Sequence, residues 1–222
     1  MEIIENLTKI KQELPQNVKL VAVSKTKPVE TILQVYNAGH KIFGENKVQE
    51  LVAKYEQLPK DIEWHMIGHL QTNKVKYIVP FIAMIHSVDS LKLIQEINKR
   101  AAKVNRVIDC LVQIHIAQEE TKFGMTYEQA EELFASGELK KYPYVNIRGL
   151  MGMATNTDDM EQVRKEFRGL KQFFDRVRKQ YFYDKPDFNE LSMGMSHDYK
   201  IAVEEGSTIV RIGSLIFGPR VY

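Results

Sequence analysis

Eight short apolar or β-branched runs, each followed by a stretch with helical features, constrain this chain more than anything else in it. The runs are Lys19–Lys25, Lys41–Asn46, Glu63–His69, Met84–Asp89, Asp109–Ile116, Asn146–Met153, Asn189–Gly194 and Thr208–Ser214. Strand–helix alternation implies a parallel sheet with helical crossovers. Eight such units predict an α/β fold: a single closed (β/α)8 barrel of the TIM type, with 222 residues at the short end of its range. An extra helix carrying Ile3, Ile4, Leu7, Ile10 and Leu14 precedes the first strand. The rival fold is an open doubly wound sheet, which calls for a glycine-rich dinucleotide turn after strand one; none is present.

The helical stretches carry their own punctuation. Pro28 to Ala38 has a proline in its first turn and Gly39 as a stop, and Glu45 to Gln57 carries Val48, Leu51, Val52 and Tyr55. Thr126 and Gln129 read as a capping box. The longest helix follows Thr157-Asp158-Asp159, with an apolar stripe at Met160, Val163, Phe167, Leu170, Phe174, Val177 and Tyr181. Its other face is basic (Arg164, Lys165, Arg168, Lys171, Arg178, Lys179), and a solvated face accounts for it better than an RNA-binding one. The chain as a whole has 31 basic and 29 acidic side chains, a balance that gives no electrostatic case for nucleic acid or an anionic membrane.

The lone cysteine, Cys110, excludes a disulfide within the chain and sits in an apolar run, as a buried inert thiol would. The N-terminus lacks the pattern of a signal peptide, and the most apolar stretch, Tyr77 to Ile85, is too short to span a bilayer. A soluble, cytoplasmic protein is expected. No linker-like tract divides it, so residues 1–222 are expected to form a single domain.

In such a barrel, functional groups project from the C-terminal strand ends. Strand one ends Val21-Ala22-Val23-Ser24-Lys25, and alternation places Val21, Val23 and Lys25 on one face. A lysine there either bends into solvent or, desolvated and close to Lys27, becomes an amine nucleophile toward an aldehyde. Strand eight ends Arg211-Ile212-Gly213-Ser214. Gly213 would let a phosphate approach the backbone, whereas an ordinary turn with Arg211 in an ion pair is the plainer alternative. Strand seven ends Leu191-Ser192-Met193-Gly194-Met195-Ser196, where Ser196 is an N-cap candidate for the next helix. His65 and His69 share a strand face at i, i+4, but the glutamate of a zincin motif is missing after His65, and no metal site is expected. The run Leu150-Met151-Gly152-Met153 reads as core or pocket floor.

Taken together, these strand ends resemble one family, the pyridoxal-phosphate homeostasis proteins, which are single-barrel relatives of the N-terminal domain of alanine racemase (fold type III). The matching stretches are Val21–Lys25, Phe43-Gly44-Glu45-Asn46, Trp64 to Lys74, Arg148-Gly149-Leu150-Met151, Leu191 to Ser196, and Arg211-Ile212-Gly213-Ser214 with Phe217-Gly218. The resemblance implies pyridoxal 5'-phosphate (PLP) as cofactor, held as a Schiff base on Lys25. It implies a phosphate held by Ser196, Gly213 and Ser214 with Ser192 nearby, Arg211 facing the pyridine nitrogen, and Asn46 near the ring. Lys122 looks like a family lysine near the site. After Met151 the family continues with an Ile-Pro-like pair, whereas this chain has Gly152-Met153-Ala154-Thr155.

The resemblance also bears on turnover. Arginine cannot accept a proton, so a pyridine nitrogen facing Arg211 stays unprotonated and is a weak electron sink. Alanine racemase tolerates that arginine but takes a tyrosine base from a second, β-rich domain, and this chain reaches Tyr222 directly after its last strand and closing segment. The expectation is therefore a PLP carrier that buffers the aldehyde and delivers it to apo-enzymes, with no catalytic residue, no metal, no nucleic-acid or membrane partner, and a monomeric chain. The alternatives are a weakly active PLP-dependent amino-acid racemase and a Schiff-base aldolase on a phosphosugar.

Overall fold

A computed structural model of the chain describes residues 2–120 and 123–219. The eight expected strands form: β1 (Lys19–Val23), β2 (Ile42–Glu45), β3 (Glu63–Met66), β4 (Met84–Val88), β5 (Ile108–Ile114), β6 (Val145–Gly152), β7 (Glu190–Ser192) and β8 (Ile209–Ile212). Neighbours pair in parallel in chain order, and β1 also pairs with β8, so the sheet closes into a barrel. Around it lie α1 (Glu2–Glu13), α2 (Val29–Asn37), α3 (Val48–Gln57), α4 (Leu91–Lys103), α5 (Tyr127–Ser136), α6 (Met160–Tyr181), α7 (Tyr199–Glu204) and α8 (Ser214–Phe217). Between β3 and β4 the crossover is a 3-10 turn, Thr72–Tyr77, instead of an α-helix. Among the described residues no helix is long and apolar enough to cross a membrane.

Alternation along each strand sorts the side chains into two shells. Outward residues such as Phe43, Trp64 and Ile85 pack with Ile32, Leu51, Ile94 and Phe167 of the helices in the main core. Inward residues Val21, Met84, Leu111, Met151 and Ile209 fill the lumen as a separate small cluster. The β5–β6 register slips between Cys110 and Leu111, and Gly149 sits at that bulge with φ 150°. A Cβ on Gly149 would lie 1.7 Å from the Glu190 carbonyl oxygen, so only glycine lets β6 and β7 approach there.

Local expectations mostly follow the chemistry. Thr126 and Gln129 form both bonds of the capping box, and Asp159 caps α6 by accepting from Gln162 N. The basic face of α6 is ion-paired at the surface: Arg164 and Arg168 reach Glu205, and Lys171 reaches Asp175. Cys110 is buried, and burial pushes its thiol up.

Several boundaries differ. Pro28 is the N-cap of α2 and not part of its first turn. The stretch from Glu45 does not begin as helix, because Glu45 closes β2 and α3 starts at Val48. Lys25, Asn46, His69 and Gly194 lie beyond the ends of their strands, where the chain leaves the ladder to turn across the barrel mouth.

Candidate functional site

At the C-terminal mouth, β1, β7 and β8 open onto a cleft of about 160 Å³. Its wall includes Val23, Lys25 and Lys27 from the β1 side, Met195, Ser196 and His197 after β7, and Arg211, Gly213 and Ser214 at the end of β8. Lys25 stands in the turn just past β1 and lines the cleft beside Val23. Gly213 keeps the cleft open against β1, since a Cβ there would come within 3.1 Å of the Val23 carbonyl oxygen.

Ser196 is not the N-cap of α7. Asp198 holds that position, and its Oδ1 accepts from Met195 N at 2.7 Å. Ser196 lies at the cleft, where its Oγ accepts from Leu215 N at 3.4 Å.

Arg211 is buried, 3% exposed. Its guanidinium donates to Ser192 Oγ and to the Gly152 carbonyl oxygen at 3.2 Å. Among the described residues no carboxylate forms an ion pair with it. Burial pushes its pKa down to about 10, with Asp198 opposing, so it stays charged at neutral pH. Behind Ser192 the polar contacts continue through the lumen: His86 Nδ1 is 2.9 Å from Ser192 Oγ, and His86 Nε2 is 2.8 Å from His65 Nδ1. Burial pushes His65 down to about 3 and His86 well below the imidazole range, so both are neutral. An arginine can only donate. Ser192 Oγ therefore accepts from Arg211; with its own proton given to His86 Nδ1, the His86 proton would sit on Nε2, facing His65.

The turn carrying Lys25 rests on a different cluster. Lys54 of α3 is buried, and its Nζ donates to the Ser24 carbonyl oxygen at 2.7 Å, to both Glu45 oxygens at 3.1 and 2.9 Å, and to Glu50 Oε2 at 2.7 Å. The Ser24 hydroxyl donates to Glu45, and Thr26 N donates to Glu50 Oε2 at 2.6 Å. Burial pushes Glu45 up to about 6, against the pull of Lys54 and Ser24.

Comparison with known proteins places this architecture. A profile for the N-terminal domain of alanine racemase matches residues 1–221. A pyridoxal phosphate homeostasis protein of Aquifex aeolicus is 47% identical over 205 residues, covering 92% of this chain and 88% of that protein. This chain belongs to the alanine racemase N-terminal domain family, alongside the pyridoxal phosphate homeostasis proteins. The structure of PipY from Synechococcus elongatus with PLP bound superposes with a TM-score of 0.87 at 34% identity, covering 97% of this chain and all of that one; the PLP-free form gives 0.91. Alanine racemase of Clostridium difficile shares the fold, with a TM-score of 0.78 at 16% identity over 57% of its length.

Of the residues that the family resemblance singles out, the cleft gathers Lys25, Ser196, Arg211, Gly213 and Ser214. Ser192 is fully buried under Arg211. Asn46 stands half-buried beyond β2, its backbone against Gly68, and is not among the residues lining the cleft. Lys122 lies outside the described residues. His65 and His69 do not share a strand face: β3 ends at Met66, His65 points into the lumen, and His69 stacks on Phe123 at 3.9 Å on the far rim.

Pattern reading missed His86, Glu50 and Lys54, and passed over Glu45 as part of a family motif. Two signals were available. Met84 and His86 share the inward face of β4, and Lys54 lies three residues after Leu51 on the apolar side of α3.

Proposed function

We propose that this chain takes up pyridoxal 5'-phosphate as a Schiff base on Lys25, buffers it, and delivers it to PLP-dependent apo-enzymes without robust turnover of its own. In this reading residues 1–222 act as a single PLP-binding barrel domain and as a monomer. One observation carries it: the same cleft holds a lysine just past a strand end and a buried arginine with no carboxylate in ion-pair contact among the described residues, Asp198 acting on it only at longer range. A buried cation paired only with neutral oxygens favours an anionic or electron-rich ligand. The PLP-bound PipY structure and the name of the Aquifex aeolicus relative support the choice of ligand.

The residues present fit that group. PLP supplies an aldehyde carbon. Lys25, as the neutral amine, would supply the nitrogen of a C=N bond there, the aldehyde oxygen leaving as water. Release to an apo-enzyme would need a competing amine to displace Lys25, which would regain its own amine. Ser196, Gly213 and Ser214 would hold the phosphate and Ser192 would serve the ligand through Arg211, while Asn46, outside the cleft lining, would have to reach the ring from beyond β2. Two donors of Arg211 are engaged by Ser192 and Gly152; its other donors would face the pyridine nitrogen and would leave it unprotonated. That arrangement suits retention better than carbanion chemistry.

The test is direct. PLP is added, the visible spectrum recorded, borohydride applied and the modified peptide mapped. The expected result is a PLP-sized adduct on Lys25, with the imine band lost in Lys25→Ala. An adduct spread over surface lysines would sink the assignment. Delivery is measured separately: an apo-enzyme should regain activity faster from the loaded protein than from equal free PLP, and equal rates would end that part of the proposal.

A further inference from the structure

The chain on either side of Lys25 is tied to one helix. The Ser24 carbonyl accepts from Lys54 at 2.7 Å, and Thr26 N donates to Glu50 at 2.6 Å. Lys54 and Glu50 are themselves bonded at 2.7 Å, so the two ties form one bracket on α3. Glu45, at the end of the neighbouring strand, grips the same bracket through Lys54 and through the Ser24 hydroxyl.

The turn inside the bracket is not relaxed. Lys27 N donates to the Ser24 carbonyl at 3.0 Å, which closes a four-residue turn with Lys25 in its second place. Thr26, in the third place, has φ 67°, a left-handed conformation that a β-branched residue rarely adopts. Such strain persists only where the surroundings over-determine it, and it collects at functional sites.

The bracket is also an expensive way to fill space. Lys54 is 6% exposed among apolar neighbours on α3, Val48 and Leu51. A buried charge pair is often no more stabilising than apolar side chains of similar volume. What an apolar side chain at position 54 lacks is an ammonium whose donors converge on oxygens of Ser24, Glu45 and Glu50.

We infer that Lys54 and Glu50 are positioning residues: they clamp both chain neighbours of Lys25 and so hold its amine where the aldehyde of a PLP-like ligand arrives. This rests on the function proposed above. Fixing a nucleophile raises its effective concentration without adding a contact to the ligand. Recognition of ring and phosphate belongs to the β7 and β8 side of the cleft. Loss of the clamp should therefore weaken imine formation selectively.

The experiment compares two probes on wild type, Lys54→Met and Glu50→Ala. PLP reports imine formation by its visible band. Pyridoxine 5'-phosphate has the same ring and phosphate but no aldehyde, and reports recognition by calorimetry. The expected result is imine formation slowed about tenfold or more, with the pyridoxine 5'-phosphate Kd kept within about twofold. Equal weakening of both probes, or of neither, overturns the inference. Glu50 is only partly buried, so Glu50→Ala carries the test where Lys54→Met does not fold.

Hydrogen exchange on the ligand-free protein separates this idea from the one beneath it. In Glu50→Ala the Thr26 amide should exchange at least about tenfold faster. Unchanged protection overturns the clamp whatever PLP does. Faster exchange, in a protein whose wild type forms no imine on Lys25, leaves the clamp standing and removes the PLP assignment.

Discussion

Two buried cations stand close to the same barrel mouth, and they are held in opposite ways. Lys54 is enclosed by two carboxylates and a carbonyl. Arg211 meets a hydroxyl and a carbonyl, both neutral. The first arrangement closes its charge inside the protein and serves the backbone around it. The second leaves a positive head beside the cleft, which on the proposed function a ligand would answer. A buried cation is thus informative mainly through its partners: full compensation marks a strut, and incomplete compensation marks a recognition group.

The largest effect that separates them is on stability. Lys54→Met leaves Glu45 buried without its cation, and breaking such a pair costs about 3–5 kcal/mol, eased where Glu45 takes up a proton. Arg211→Met breaks no ion pair but strands the buried Ser192 hydroxyl and the Gly152 carbonyl, and should cost about 1–3 kcal/mol, less than Lys54→Met. Ligand binding should show the reverse order, with PLP affinity falling by about tenfold or more in Arg211→Met. Urea unfolding of both variants at pH 7, with PLP titrations beside it, checks this. Equal losses of stability would break the comparison.

The pH dependence of stability comes next, because the two regions pull it in opposite directions. Glu45 is raised from 4.5 to about 6 in the fold. A raised folded value means its favourable contribution is complete below about 4.5 and is lost as pH rises to about 6, a change of roughly 2 kcal/mol. His65 is lowered from 6.5 to about 3, and His86 moves the same way. A depressed folded value means their contribution is complete above 6.5 and is lost as pH falls. Two histidines outweigh one glutamate, so the protein as a whole should lose stability on acidification. Glu45→Gln isolates the smaller term. Between about pH 3.5 and 7, wild type should fall relative to Glu45→Gln by roughly 2 kcal/mol. Parallel pH profiles for the two proteins would remove Glu45 titration from the account.

How far these features were legible in the sequence follows from how local they are. Strand–helix alternation is a property of neighbours in the chain, and it yielded the eight strands in their order around the barrel. The gathering of Lys25, Arg211 and Gly213 was also legible, because parallel strands in chain order bring their ends to one face. The Lys54 bracket and the His65–His86–Ser192 column join residues from different strands and helices, and no periodicity records such meetings. Strand ends were read too long at Lys25, His69 and Gly194 for a related reason: apolar pattern persists after ladder bonding stops. Ser196 matched the composition of an N-cap, but α7 starts two residues later, with Asp198 at its N-cap and no side-chain cap bond there.

The smallest effect is the most specific. Ser192→Ala removes the acceptor for one Arg211 donor and the proton that Ser192 gives to His86, leaving buried groups short of partners at about 1–3 kcal/mol. It leaves the charge of Arg211 in place, so pyridoxine 5'-phosphate binding should weaken only a few-fold, far less than in Arg211→Met. The diagnostic readout is the histidine. With Ser192 donating to Nδ1, neutral His86 carries its proton on Nε2, and nitrogen NMR shifts should report that tautomer in wild type. In Ser192→Ala, Nδ1 loses its donor while Nε2 keeps its contact to His65, so the Nδ1 signal should move and the Nε2 signal should not. A wild-type His86 protonated on Nδ1 would reverse the donor direction along the column and sever its orientation from Arg211. That single result would make the lumen histidines ordinary buried polar filling and leave Lys54 the better-placed of the two cations.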